Sequence, residues 1–84
     1  MNWREFGRVS LFCGTIVYSL SEGANGYTII VKNEDTGESC CVGGIMASPD
    51  FVNDLLERMV RGCVTPITAY DIIRDALCDM AALM

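Results

Sequence analysis

Two periods divide the chain. Up to about residue 45 apolar and polar residues alternate with a period of two, and from Ser48 onward apolar residues recur every three to four positions. The run from Val9 to Ser21 is rich in β-branched and aromatic residues and predicts a strand. Gly14 is expected to bend or bulge it. Beyond that point Ile16, Tyr18 and Leu20 alternate with Thr15, Val17 and Ser19, so one face is the more apolar. A loop ending in the turn dipeptide Asn25-Gly26 leads to a second strand, Gly26 to Asn33. There Tyr27, Ile29 and Val31 share one face, and Thr28, Ile30 and Lys32 the other. The turn Glu34-Asp35-Thr36-Gly37 precedes a third strand, Glu38 to about Ile45. Strict alternation places Ser39, Cys41 and Ile45 on one face of it and Cys40 and Val42 on the other, with Gly43-Gly44 weakening its end. The short segment Met1 to Phe6 is read either as a frayed end or as a lead-in strand whose Trp3 and Phe6 dock on the sheet.

The period then changes. Ser48 is a good N-cap, Pro49 suits the first helical position, and Asp50 complements the positive helix end. Val52, Leu55, Leu56, Met59 and Val60 form a one-sided stripe over a helix spanning 48–61. Asp54–Arg58 and Glu57–Arg61 stand at i, i+4 on the opposite face, acid first. Gly62 is expected to stop this helix in a left-handed conformation. Thr65-Pro66 forces an extended turn. Thr68, with Asp71 three residues on, is expected to cap a second helix over 68–82. Its apolar stripe is Ala69, Ile72, Ile73, Ala76, Leu77 and Met80. The expected fold is α+β and a single domain over 1–84. A three-stranded antiparallel β-meander over about 9–45 is followed by a C-terminal αα-hairpin packed on one face.

Composition narrows the function classes. A chain of 84 residues buries only about 60–65% of the surface its unfolded form exposes. Apolar residues make up 51% and charged residues 20%, as in a globular protein rather than a disordered one. No apolar run reaches the roughly 18 residues a membrane helix needs, and no basic region leads into a hydrophobic run at the N-terminus. The expected location is the cytoplasm, without membrane contact. Six Lys and Arg against eleven Asp and Glu leave a net charge of −5. That disfavours direct nucleic-acid binding. The five cysteines, Cys13, Cys40, Cys41, Cys63 and Cys78, fit no zinc spacing, and there is no histidine. They are expected to be buried free thiols in a reducing compartment. No metal or cofactor is expected.

Asp71, Asp75 and Asp79 recur at i, i+4 and i+8 along the second helix. Like charges at that spacing cost a helix a little. A docking face for a basic partner or a weak divalent-cation site would account for them; the plainer account is a solvated face partly neutralised by Arg74. Thr65-Pro66 reads first as a helix stop and only second as a recognition turn. Cys40-Cys41 makes a poor redox pair, because a vicinal disulfide is strained and nothing nearby lowers a thiol pKa. No Ser, Thr or Cys has a histidine base, which removes most nucleophilic schemes. No catalytic residue is therefore assigned. The more telling feature is an apolar surplus, with Val17 and Ile30 on the sheet face opposite the main apolar rows and the tail Ala81-Ala82-Leu83-Met84 beyond the last stripe. Two helices cover one face of such a sheet, and the uncovered face or edge is expected to carry a partner.

The segment Val52 to Leu77 resembles the C-terminal half of a small bacterial family of unknown function, found largely in spore-forming Gram-positive bacteria. The resemblance rests on the turn Val64-Thr65-Pro66-Ile67 and on Asp71, Ile72, Ile73 and Asp75 of the following helix. A looser likeness in the strand Gly26 to Lys32 extends it over roughly residues 16 to 78, and the pair Cys40-Cys41 with Gly43-Gly44 departs from the pattern. It implies a sheet, helix, turn, helix order and a bacterial cytoplasmic setting, and brings no activity with it. The expected function is that of a non-enzymatic protein–protein interaction module, self-associating as a homodimer or larger homo-oligomer. The alternative is a small acidic inhibitor from a phage or mobile element that blocks a nucleic-acid-processing enzyme, in the manner of an anti-CRISPR protein. An enzymatic role would need a cysteine of unusually low pKa.

Overall fold

A computed structural model describes residues 3–82, with side chains described to residue 78. The chain begins as an antiparallel meander of β1 (Trp3–Leu11), β2 (Gly14–Gly23), β3 (Gly26–Asn33) and β4 (Ser39–Ile45), in spatial order β1-β2-β3-β4. Two helices follow, α1 (Pro49–Arg61) and α2 (Pro66–Ala82). The class is α+β with an antiparallel sheet, and the sheet has four strands rather than the three expected.

The extra strand comes from the run Val9 to Ser21, which is two strands and not one bent strand. It folds back at Phe12-Cys13, so that Leu11 pairs with Gly14. Phe and Cys are strand residues by propensity, which hides the turn from the sequence pattern. Gly14 closes the turn at φ 136, and a Cβ there would run into the Asn33 amide oxygen. Asn33 is buried and ties this turn to the next one. Its Nδ2 donates to the Cys13 carbonyl at 3.1 Å, while its Oδ1 accepts from the amides of Asp35 and Thr36 at 3.0 and 3.2 Å. Trp3 to Phe6 belong to β1, and Phe6 falls at a register shift between Glu5 and Gly7.

A second irregularity corrects the expected facing of Ile45. Tyr27 pairs with Ile45 but Ile29 with Val42, so Gly43 and Gly44 together stand opposite Thr28. The added residue returns Ile45 to the side of Cys40 and Val42, where it is buried. That side is the inner face. Ile16, Tyr18, Leu20, Ile29 and Val31 bury there against Val52, Leu55, Leu56 and Met59 of α1 and Ala69 and Ile73 of α2. Each large aliphatic so buried stabilises by roughly 1.5–3 kcal/mol. α1 leans on β1, close enough at Gly7 that a Cβ would lie 3.3 Å from Val60 Cγ2. α2 lies along β4 and β3, and the two helices touch each other little.

The helix ends follow local chemistry. Ser48 Oγ accepts from the Phe51 amide at 3.2 Å, capping α1. At the other end Gly62 sits at φ −82, and Cys63 takes the left-handed position at φ 52. Cys63 N donates to Val60 O and Val64 N to Met59 O, both at 3.1 Å. This is the Schellman arrangement, one residue later than the glycine suggests. α2 starts at Pro66 and not at Thr68. Pro66 occupies the first helical position, and Thr65 is the cap, its carbonyl accepting from the amides of Thr68 and Ala69 at 3.1 and 2.9 Å. The phenol of Tyr18, at the centre of the inner face, donates to the Val64 carbonyl at 2.6 Å and so ties the interhelical turn to β2.

Candidate interaction surfaces

The outer face of the sheet is set by the same register. Ser19 stands opposite Glu5 and Ile30, Val17 opposite Arg8 and Lys32, and Cys41 opposite Ile30. No helix among the described residues covers this side. Trp3, Glu5, Arg8, Val17, Ile30 and Glu34 line a shallow concavity of about 220 Å³ there. Val17 and Ile30, the two residues singled out by pattern, therefore lie together, each half-buried. The apolar surplus is smaller than the sequence suggests, because serines, threonines and charged residues fill most of this face. Trp3, 43% exposed, is its largest apolar group. The pattern places it only as an aromatic that docks on the sheet, because the turn at Phe12-Cys13, which makes β1 a strand in its own right, is not visible there.

The rim of this concavity is charged. Arg8 Nη2 contacts Glu5 Oε1 at 2.6 Å and Arg8 Nη1 contacts Glu34 Oε1 at 3.5 Å. The hydrogen bond from Arg8 holds the Glu5 carboxyl below its ordinary value, and Glu5, then Glu34, raise the Arg8 guanidinium. All three groups are solvated, so the network contributes little to stability. It orients Arg8 across the strands beside Val17.

Asp71 and Asp75 are exposed on α2, as is Arg74 between them, and neither carboxylate makes an ion pair among the described residues. The side chain of Asp79 and the tail 83–84 lie outside the described residues. Among the described residues no group of three or more His, Cys, Asp or Glu converges to hold a metal ion. Asp75 instead flanks a groove of about 460 Å³ between the helices, floored by Leu55, Met59, Val64 and Ala76 with Arg58 on the other rim.

The cysteines are free but not buried. Cys13, Cys41 and Cys78 are exposed, Cys40 and Cys63 intermediate. Cys13 sits in a hairpin turn, Cys41 points to the outer face and Cys78 lies on α2 beside the β4 edge, positions that spacing alone does not reveal. Desolvation, and next the neighbouring Cys41, push the Cys40 thiol up, the direction opposite to nucleophile activation.

A third open region borders β4. Val42, Tyr70, Arg74, Leu77 and Cys78 line an apolar concavity of about 250 Å³ between this edge strand and α2. Tyr70 and Ile67 are 52% and 74% exposed. Among the described apolar side chains of α2 beyond Pro66, Ala69 and Ile73 are buried, whereas Ile72, expected in the core stripe, is 36% exposed. The signal for this surface is present in the sequence: Ile67 and Tyr70 are apolar positions off the buried stripe. No helix among the described residues is long and apolar enough to cross a membrane. No family model matches the chain, and no curated protein or solved structure matches it.

Proposed function

We propose that this chain is a small, non-enzymatic protein–protein interaction module that self-associates. The observation that carries this reading is the one-sided cover of the sheet. The two helices lie on the inner face, while Trp3, Val17 and Ile30 stay accessible on the outer face beside an open β4 edge. Apolar groups left at the surface of so small a domain are what a partner buries. Light scattering across the micromolar range, paired with a pull-down, tests the reading. A concentration-dependent rise in mass or a stoichiometric partner supports it; a monomer throughout with nothing captured removes it.

A second reading rests on the exposed carboxylates of Asp71 and Asp75 and on the net charge of −5. An acidic helix face of this kind suits an inhibitor, of phage or mobile-element origin, that occupies the basic channel of a nucleic-acid-processing enzyme. Reversing both residues to Lys should then abolish inhibition of such an enzyme, and unchanged inhibition refutes the role of the stripe.

A further inference from the structure

Resting on the self-association reading, we propose that two copies of this chain join through antiparallel pairing of β4 with β4, about a two-fold axis passing near Cys41, to form a continuous eight-stranded sheet.

The two edges of the sheet differ. β1 carries Arg4, Glu5 and Arg8, charges that discourage strand addition, and each edge strand has one irregularity, at Phe6 in β1 and at Gly43-Gly44 near the end of β4. β4 has no charged residue, and no strand among the described residues pairs with its outer side. Its open backbone groups accept a strand, and an antiparallel copy of itself satisfies the same groups on both chains at once.

The occupant is identified by what lies beside the edge. α2 runs along β4: the Tyr70 backbone lies by the Cys40 thiol, and Tyr70, Arg74, Leu77 and Cys78 line one concavity with Val42. A strand advances about 3.3 Å per residue and a helix about 1.5 Å, so an axis at Cys41 meets α2 near position 72. The stripe Ile67, Tyr70, Arg74, Leu77 has helical spacing and is complementary to itself about that point. Ile67 of one copy meets Leu77 of the other, and Tyr70 of one meets Arg74 of the other, twice each. Arginine over a tyrosine ring is attractive, and no like charges oppose each other along the stripe. α2 leans over β3 as well as β4, which sets its axis inboard of the edge. Two such helices then stand about 8–10 Å apart, the spacing of packed helices. The pairing covers Ile67 and Tyr70, two of the most exposed apolar side chains on α2.

Cys41 is exposed on the outer face, so changing it leaves the core intact, and in the dimer it faces its own symmetry mate. Cys41→Lys and Cys41→Glu place like charges across the axis. Each alone should weaken dimerisation at least tenfold in analytical ultracentrifugation, and an equimolar mixture of the two should recover it as a heterodimer. In the unmutated protein a short bis-maleimide should link two chains through Cys41, as peptide mapping reads. If the protein dimerises but both charge variants dimerise as well as the unmutated chain, or if the dimer gives no Cys41 cross-link, this interface is wrong while self-association stands. A monomeric unmutated protein overturns both.

Discussion

Replacing Tyr18 by Phe isolates one bond that joins the sheet to the helices. The ring stays buried in the core and only the hydroxyl is lost, together with its 2.6 Å hydrogen bond to the Val64 carbonyl. A net intramolecular hydrogen bond is worth about 0.5–1.5 kcal/mol, and a buried carbonyl left without a partner costs about 1–3 kcal/mol. The substitution should therefore lower stability by about 1–3 kcal/mol. For a domain of this size each kcal/mol moves Tm by about 4–8 °C. The burial of the same phenol has a signature in pH. Desolvation, and next the nearby Cys63, push the Tyr18 phenol up to about 12, whereas an unfolded tyrosine titrates near 10. Between those values the folded chain holds a proton that the unfolded chain has released, so stability falls as pH rises from about 10 toward 12. Two units correspond to roughly 2–3 kcal/mol at most. Urea denaturation followed by circular dichroism at neutral pH and along the alkaline limb measures both effects. A Tyr18→Phe chain within about 0.5 kcal/mol of the parent, with the same alkaline slope, would refute the claim that Tyr18 latches the turn.

Asn33→Ala removes the donor to Cys13 and the acceptor for two amides, and should cost about 2–4 kcal/mol in denaturant titration; a loss within the scatter of neutral surface changes would show that the two turns hold independently. Cys63→Gly relieves a left-handed residue at φ 52, a strain of about 1–2 kcal/mol, offset by about 0.5–1 kcal/mol of added chain entropy. The net should be a gain of up to about 1 kcal/mol by thermal unfolding, and a clear loss would mean that the Cys63 side chain packs productively. Ile73→Ala, in the core beneath α2, should cost about 2–5 kcal/mol; retention of full stability would contradict the docking of α2 on the sheet.

Much of this architecture is legible in the sequence because burial and period coincide. Ile29 and Val31 alternate with Thr28 and Ile30, and the side with the heavier apolar load is the one the helices cover. The stripe of α1 reads equally well, since Val52, Leu55, Leu56 and Met59 are all buried. What pattern misses is local irregularity. The turn at Phe12-Cys13 carries two residues of strand character, so the missing strand boundary is visible only through the tertiary bonds of Asn33. The two-for-one pairing at Gly43-Gly44 reverses the facing of Ile45, and period-two counting has no way to register an inserted residue. Pro66 reads as a stop in the sequence, although its place at the first helical position makes it a start. On the candidate surfaces alternation is enough to find Val17 and Ile30. Trp3, Tyr70 and Ile67 escape it because a residue's place on an open face depends on which elements stop short of it.

The central question is whether this domain meets a second copy of itself. Multi-angle light scattering under reducing conditions, at concentrations from low to high micromolar, measures that directly. Self-association predicts a mass rising toward twice the 9.2 kDa of the single chain. A mass that stays at the single-chain value over the whole range would contradict it.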